Sequence, residues 1–150
     1  MTKKSSKNIK TVLEILQDEI NGDVSAALKK MAPDYSMTWV EERQGKIFPS
    51  VSSKDLKKAM GKVYKIKGRE YDIKNIAEGK DLVMIELVES YPDPKTKKVY
   101  RTPQVIVLEM KNGKIQTGRH YADVDLAFLH LTKKQIEKAF KGRKSSMILK

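Results

Sequence analysis

The side chain best suited to proton transfer at neutral pH is His120, one of only two histidines in the 150 residues. A free imidazole titrates at about 6.5. His120 lies in the stretch Gly113 to Leu131, GKIQTGRHYADVDLAFLHL. From Ile115 to Asp123 this stretch alternates as a strand. Gln116, Gly118, His120 and Ala122 share one face; Ile115, Thr117, Arg119, Tyr121 and Asp123 share the other. Glu89 and Gln104, on other strands, are the residues that could hold the imidazole in one tautomer. Glu89 is also a candidate buried acid, with its alternative place at a wet sheet margin. By strict alternation Asp123 faces away from His120 unless a bulge re-aims it; otherwise it caps or forms a turn. A lone histidine can equally be a satisfied member of a pocket wall.

Several chemistries are excluded by what is missing or badly spaced. There is no cysteine, so disulfides and thiolate sites are ruled out. His120 and His130 stand ten apart without a helical two-histidine motif, so no metal is expected. The glycines are isolated, so there is no phosphate-cradling loop. No nucleophile elbow accompanies a serine. No cofactor is expected.

The elements that position these residues follow from periodicity. Ile9, Val12, Leu13, Leu16 and Ile20 recur at helical spacing over residues 8–20. Asn21-Gly22 ends that helix, and Asp23 caps a second one carrying Val24, Ala27, Leu28 and Met31 up to Pro33. Tyr35, Met37 and Trp39 alternate along a first strand, 34–42, followed by a loop from Arg43 to Val51. Ser52 or Ser53 opens a third helix with Leu56, Ala59, Met60, Val63 and Tyr64. A charge-dense second strand is expected over 69–78. In Asp81 to Tyr91 both faces are apolar, with Val83, Ile85, Leu87, Glu89 and Tyr91 on one, so both faces need cover. Val99 to Met110 returns as a fourth strand, with Pro103 at a bulge or local edge. Lys111-Asn112-Gly113-Lys114 turns into the fifth. Thr132 with Gln135 fits a capping box for a last short helix. Helices followed by antiparallel strands give an α+β fold whose sheet curls around the helices.

The formal charge of +12 is uneven. Residues 1–10 contribute +4 and residues 133–150 contribute +6, leaving +2 for the body. Basic ends suit solvated tails, or an anionic polymer in an alternative reading. Without interleaved aromatics, nucleic acid is not the expected partner. No segment approaches the roughly 20 apolar residues of a membrane helix, and the first residues lack the apolar core of a secretory signal. The expected location is cytoplasmic, with no membrane partner. An outer-face patch of Met84, Val88, Val105, Val107 and Tyr121 points to a homodimer.

The order of elements resembles the nuclear transport factor 2-like (cystatin-like) superfamily, in its SnoaL-like and ketosteroid-isomerase-like branch. The resemblance rests on Asn21-Gly22-Asp23, Met31-Ala32-Pro33-Asp34-Tyr35, and the phrase GKIQTGRHYAD. It implies a cone of three helices and a bent antiparallel sheet around a pocket for a small apolar ligand. It also implies a division into a flexible basic N-terminus (1–7), the cone domain (8–131) and a basic C-terminal helix and tail (132–150). The implied pocket wall is Trp39, Tyr35, Tyr64, Ile85, Leu87, Tyr91, Gln104, Ile106 and Gly118, with small Gly118 leaving room beside His120. Asp123 falls near the base of some family cyclases. Ile15, Trp39 and Ile106 occupy the positions of the steroid-isomerase tyrosine, base and acid, so that chemistry is not implied. An isomerase, cyclase, dehydratase or hydrolase built on His120 is the expected function, and a non-catalytic binding or dimerisation module the alternative.

Overall fold

The computed structural model describes residues 6–40, 47–48, 53–123, 125–126 and 129–150, with the backbone alone for Trp39, 47–48, 53–56 and 59. Most of the expected loop from Arg43 to Val51 lies outside the described residues, as do the side chains of Trp39, Leu56 and Ala59.

The amphipathic pattern of the first helix produces α1 (Lys7–Asn21), which buries Val12, Ile15 and Leu16. Ser6 caps it by accepting from the Ile9 amide. Gly22, at φ 76°, closes it with its N–H on the Asp18 and Glu19 carbonyls, a left-handed cap that an L side chain resists. Asp23 caps α2 (Val24–Lys29) through the Ala26 amide at 2.9 Å. The third helix is α3 (Ser53–Val63); its Met60 and the following Tyr64 join the core.

The strands are β1 (Met31–Trp39), β2 (Ile47–Phe48), β3 (Glu70–Glu78), β4 (Leu82–Pro92), β5 (Val99–Lys111), β6 (Lys114–Ala122) and β7 (Met147–Leu149). They form one sheet in the order β2-β1-β6-β5-β4-β3-β7. All neighbours are antiparallel except β1 and β6. β1 begins three residues earlier than its aromatic alternation indicates. Pro33 falls inside it, in the register break between Met31 and Ser36, where its missing N–H costs no ladder bond. Pro103 sits in regular pairing with Val88. Pairing with β6 starts only at Gln104, so Pro103 occupies a local free edge. The bulges lie instead at Lys74 and between Glu109 and Met110, and each bends its strand. Asn112 and Gly113, at φ 52° and 72°, make the β5–β6 turn, the double positive φ that suits the twist of a hairpin.

The concave face holds the core. Val83, Ile85 and Leu87 are fully buried there, together with Ile73, Ile106, Leu108 and the apolar stripe of α1. The convex face carries the final helix, α4 (Lys133–Ala139), whose capping box pairs Thr132 with Gln135. Before this helix, the Leu131 carbonyl accepts from Arg101 on β5. After it, the Phe140 ring lies over Lys74 on β3. The segment therefore crosses β4 between them, where Val88 is 2% exposed. The chain then adds β7 to the edge of β3. Met147-Ile148-Leu149 is too short a run to mark a strand in a lysine-rich end. The contiguous outer patch expected for a dimer is thus interrupted: Val88 and Val107 are buried by the chain itself, and Met84 and Tyr121 stay exposed.

Candidate functional site

Cross-strand register lines up a polar row on the concave face. His120 on β6 faces Ile106 on β5, Gln104 is two residues along from Ile106, and Gln104 faces Leu87 on β4, two residues from Glu89. Residues two apart on a strand share a face, so His120, Gln104 and Glu89 look the same way. Their polar atoms join. His120 Nδ1 lies 3.0 Å from Gln104 Oε1, and Gln104 Nε2 donates to Glu89 Oε2 at 3.0 Å. Burial pushes the His120 imidazole down to about 4, although part of the residue still reaches solvent. At neutral pH the ring is therefore uncharged and able to accept a proton.

The row continues into a charged centre. Glu89 Oε1 pairs with Arg69 Nη1, which is also 3.0 Å from Glu19 Oε1 on the last turn of α1. Arg69 Nη2 donates to the Val63 carbonyl, and the Tyr91 ring stands 5.1 Å from the guanidinium. Arg69 is 5% exposed. The guanidinium thus stands between two carboxylates in a site with little water. Tyr71 stands beside Arg69 and Glu19. Burial, and then the Glu19 charge, push the phenols of Tyr35, Tyr64 and Tyr71 well above their ordinary value. These hydroxyls therefore stay protonated; that of Tyr71 accepts from Arg69 Nη1 and bonds the Glu19 carboxylate.

Sequence reasoning missed Arg69 and Glu19. Both carried a signal. Arg69, just before β3, continues the alternation of Tyr71 and Ile73 on the concave face, and Glu19 continues the Val12, Ile15 and Leu16 stripe at i+3 and i+4.

The other candidate residues separate. Tyr35, Tyr64, Ile85, Leu87 and Ile106 all belong to the buried core cluster. Tyr91 is half-buried beside Arg69. Trp39 pairs with His120 through its backbone. The space above Gly118 is not open: a Cβ there would stand 2.6 Å from Met37 Cε and 3.1 Å from Leu108 Cδ2. Gly118 thus lets β1 and β6 approach with Met37 between them, which corrects the expectation of room for a ligand at that residue. Asp123 is exposed and accepts from the Asp125 amide at 2.8 Å, a turn-forming contact. Arg119 points outward to Glu109 at 2.7 Å, and Tyr121 is 44% exposed.

The second histidine does different work. His130 Nε2 is 2.9 Å from Asp93, and its ring stacks on Tyr100 at 4.7 Å. The Thr96 hydroxyl first, and then the Lys95 amide, hold Asp93 well below the usual carboxylate range. This cluster clasps the β4–β5 hairpin to the segment that leads to α4. A depression of about 480 Å³ beside Tyr121, Val105, Glu86 and Phe140 opens on the outer side of the sheet. Among the described residues no group of three His, Asp or Glu side chains converges as a metal site, and no helix is long and apolar enough to cross a membrane.

No family model and no curated protein sequence matches the chain. Solved structures do. A polyketide-cyclase candidate of SnoaL-like type from Shewanella putrefaciens superposes with a TM-score of 0.69 at 9% identity, covering 82% of this chain and 84% of that one. An LEH-like epoxide hydrolase from M. tuberculosis gives 0.69 at 17% identity, covering 90% and 96%. A de novo designed protein with a curved β-sheet gives 0.61 at 17% identity, covering 93% and 98%. Identities this low, with a designed scaffold among the matches, carry the architecture and no more.

Proposed function

We propose that this chain, which has the cone-shaped nuclear transport factor 2-like fold, binds a small, largely apolar molecule and acts on it by acid–base chemistry at His120. The observation that carries this reading is the continuous polar line His120–Gln104–Glu89–Arg69–Glu19 along an otherwise apolar concave face. A core with no task for such a line would be cheaper to build from apolar side chains, because buried ion pairs rarely add stability over well-packed hydrophobes.

The chemistry that fits best makes or breaks a C–O bond. The fold is shared with an LEH-like epoxide hydrolase, and the opening of an epoxide by water or by a substrate hydroxyl can run on one proton shuttle. His120 Nε2 takes a proton from an attacking oxygen, which is water in a hydrolase or a substrate hydroxyl in a cyclase. That oxygen bonds to carbon, the C–O bond of the strained ring breaks, and the departing alkoxide takes the proton back. Atoms and charge balance without a co-reactant. An imidazole held down by burial is a modest base, and its protonated form is a strong acid for the second half of the step. Tyr35, Tyr64, Tyr91 and Trp39 supply the aromatic wall in this reading, with Ile85, Leu87 and Ile106 behind it. Glu89 acts as the anion behind Gln104. Asp123 remains outside the shuttle unless its turn rearranges. A second copy of the chain, seated on the outer face around Met84 and Tyr121, is the proposed partner.

A second reading is favoured by one observation: Val83, Ile85 and Leu87 have no exposed surface at all. A cone filled by its own side chains would make a binding or dimerisation module. Incubation with cyclohexene oxide and related small epoxides, with diol detected by mass spectrometry, separates the two readings. Turnover that disappears in His120→Ala and His120→Gln supports the enzyme. Turnover unchanged in folded His120→Ala overturns the role of His120. Absence of turnover on every epoxide, together with no ligand retained in native mass spectrometry, favours the filled cone.

A further inference from the structure

We infer that the Arg69–Glu89 ion pair sets the tautomer of His120 by fixing the direction of the Gln104 amide between them. This deepens the acid–base reading of the site and rests on it for its use, though the geometry stands by itself. An ionised carboxylate has no proton to give, so Glu89 only accepts. Arg69 Nη1 donates to Oε1 of Glu89, which leaves Oε2 to face Gln104. Gln104 must therefore turn its NH₂ toward Glu89, where Nε2 stands 3.0 Å from Oε2. Its Oε1 is then the atom left for His120. An amide oxygen cannot donate, so the proton between Gln104 and His120 belongs to the imidazole. His120 is held as the Nδ1–H tautomer, with the lone pair on Nε2. Along this line each link has one permitted direction, set from the buried guanidinium end.

Gln104 is then a positioning residue. It is 7% exposed, so water has little chance to replace either partner. An apolar side chain at 104 would strand the Nδ1–H and leave Glu89 with one partner fewer. A glutamate there would set a second carboxylate against Glu89. Glutamine joins a carboxylate to an imidazole without adding charge. Glu89→Gln changes the logic differently. Arg69 still donates to Oε1 of the new amide, whose NH₂ then faces Gln104, so Gln104 must flip and offer its own NH₂ to Nδ1. The imidazole then moves its own proton to Nε2.

The tautomer is visible without substrate. In ¹⁵N-labelled full-length protein at pH 7, the His120 ring nitrogens are read from long-range ¹H–¹⁵N correlations, with His130→Gln used for assignment. The expected result is a protonated, pyrrole-type Nδ1 and an unprotonated, pyridine-type Nε2. In Gln104→Met and Glu89→Gln the two signals converge or exchange places, while the fold is checked by the backbone amide spectrum. A wild-type His120 protonated on Nε2 overturns the inference on its own, even if a variant fails to fold. A tautomer unchanged in folded Glu89→Gln also overturns it, by showing that the ion pair does not set the direction. Loss of the proposed catalysis with the Nδ1–H tautomer intact would count against the function and leave this inference standing.

Discussion

The burial of His120 makes the stability of the whole domain depend on pH in one defined window. In the unfolded chain the imidazole titrates at about 6.5; in the folded chain it is held down to about 4 by loss of water. Between these values the unfolded state binds a proton that the folded state refuses. Stability from this group is thus fully present above the unfolded value, is lost as pH falls through the window, and levels off below about 4. One pKa unit corresponds to about 1.4 kcal/mol, so the loss is about 2 to 3 kcal/mol once the partial exposure of the residue is allowed for. That is a large part of the 5 to 15 kcal/mol that, roughly, a domain possesses. The perturbation is His120→Gln, which keeps a polar group of similar reach and cannot titrate. Urea denaturation followed by the emission of Trp39, the single tryptophan, is run on both proteins from pH 7.5 to pH 4. The carboxylates are common to both, so their contribution cancels in the difference. The wild type is expected to lose about 2 to 3 kcal/mol relative to the variant over that range. Two parallel curves would refute the reasoning, as would a His120 proton resonance that titrates above pH 6.

Other outcomes test the surrounding structure. Arg69→Met removes the guanidinium from between Glu19 and Glu89 and leaves two carboxylates facing each other in little water; a loss of about 3 to 5 kcal/mol by chemical denaturation is expected, and a loss under 1 kcal/mol would mean that the centre is far wetter than its burial implies. Gly118→Ala drives a methyl into Met37 and Leu108 and is expected to cost about 1 to 3 kcal/mol; the cost should shrink when Met37→Ala is made beside it, and strict additivity of the two would place the clash elsewhere. In sedimentation velocity the full chain is expected to dimerise through the remaining outer face, with Tyr121→Glu shifting it toward monomer; a monomer at high micromolar concentration in the wild type would remove the proposed partner. Ile136→Asp, at the buried position of α4, is expected to lower the melting temperature and to increase self-association, as read by light scattering.

Much of the architecture was legible because local signals agreed with one another. The Asn-Gly turn, the alternation through His120 and the helical stripe of α1 each fixed an element whose place in the sheet then followed. What escaped was decided by distant neighbours. The sequence phrase of β3 reads as a run of charges, yet Lys74 stretches to Asp72 at 2.8 Å under the ring of Phe140, and Asn75 bonds Glu86. Their partners arrive from β4 and from a C-terminal segment some 65 residues on, as Phe140 and Arg143 do. A bulge at Lys74 then breaks the alternation that would have shown the strand to be half-buried. The same effect concealed β7, whose three residues gain their ladder only because β3 offers an edge.

The site shows the same division between what is local and what is assembled. Alternation, with the pairing of β4, β5 and β6, places His120, Gln104 and Glu89 on one face. It is silent about Arg69, which a helix end, a turn and two strands must all bring within reach of Glu89. Alternation leaves open which of Gln104 and Glu89 meets the histidine, and so whether a carboxylate touches it. The structure puts a neutral amide between them, and burial then outweighs a carboxylate that acts only at one remove. The imidazole is accordingly neutral where direct contact would have kept it charged. It is this substitution of a relay for an ion pair that suits the residue to accept a proton.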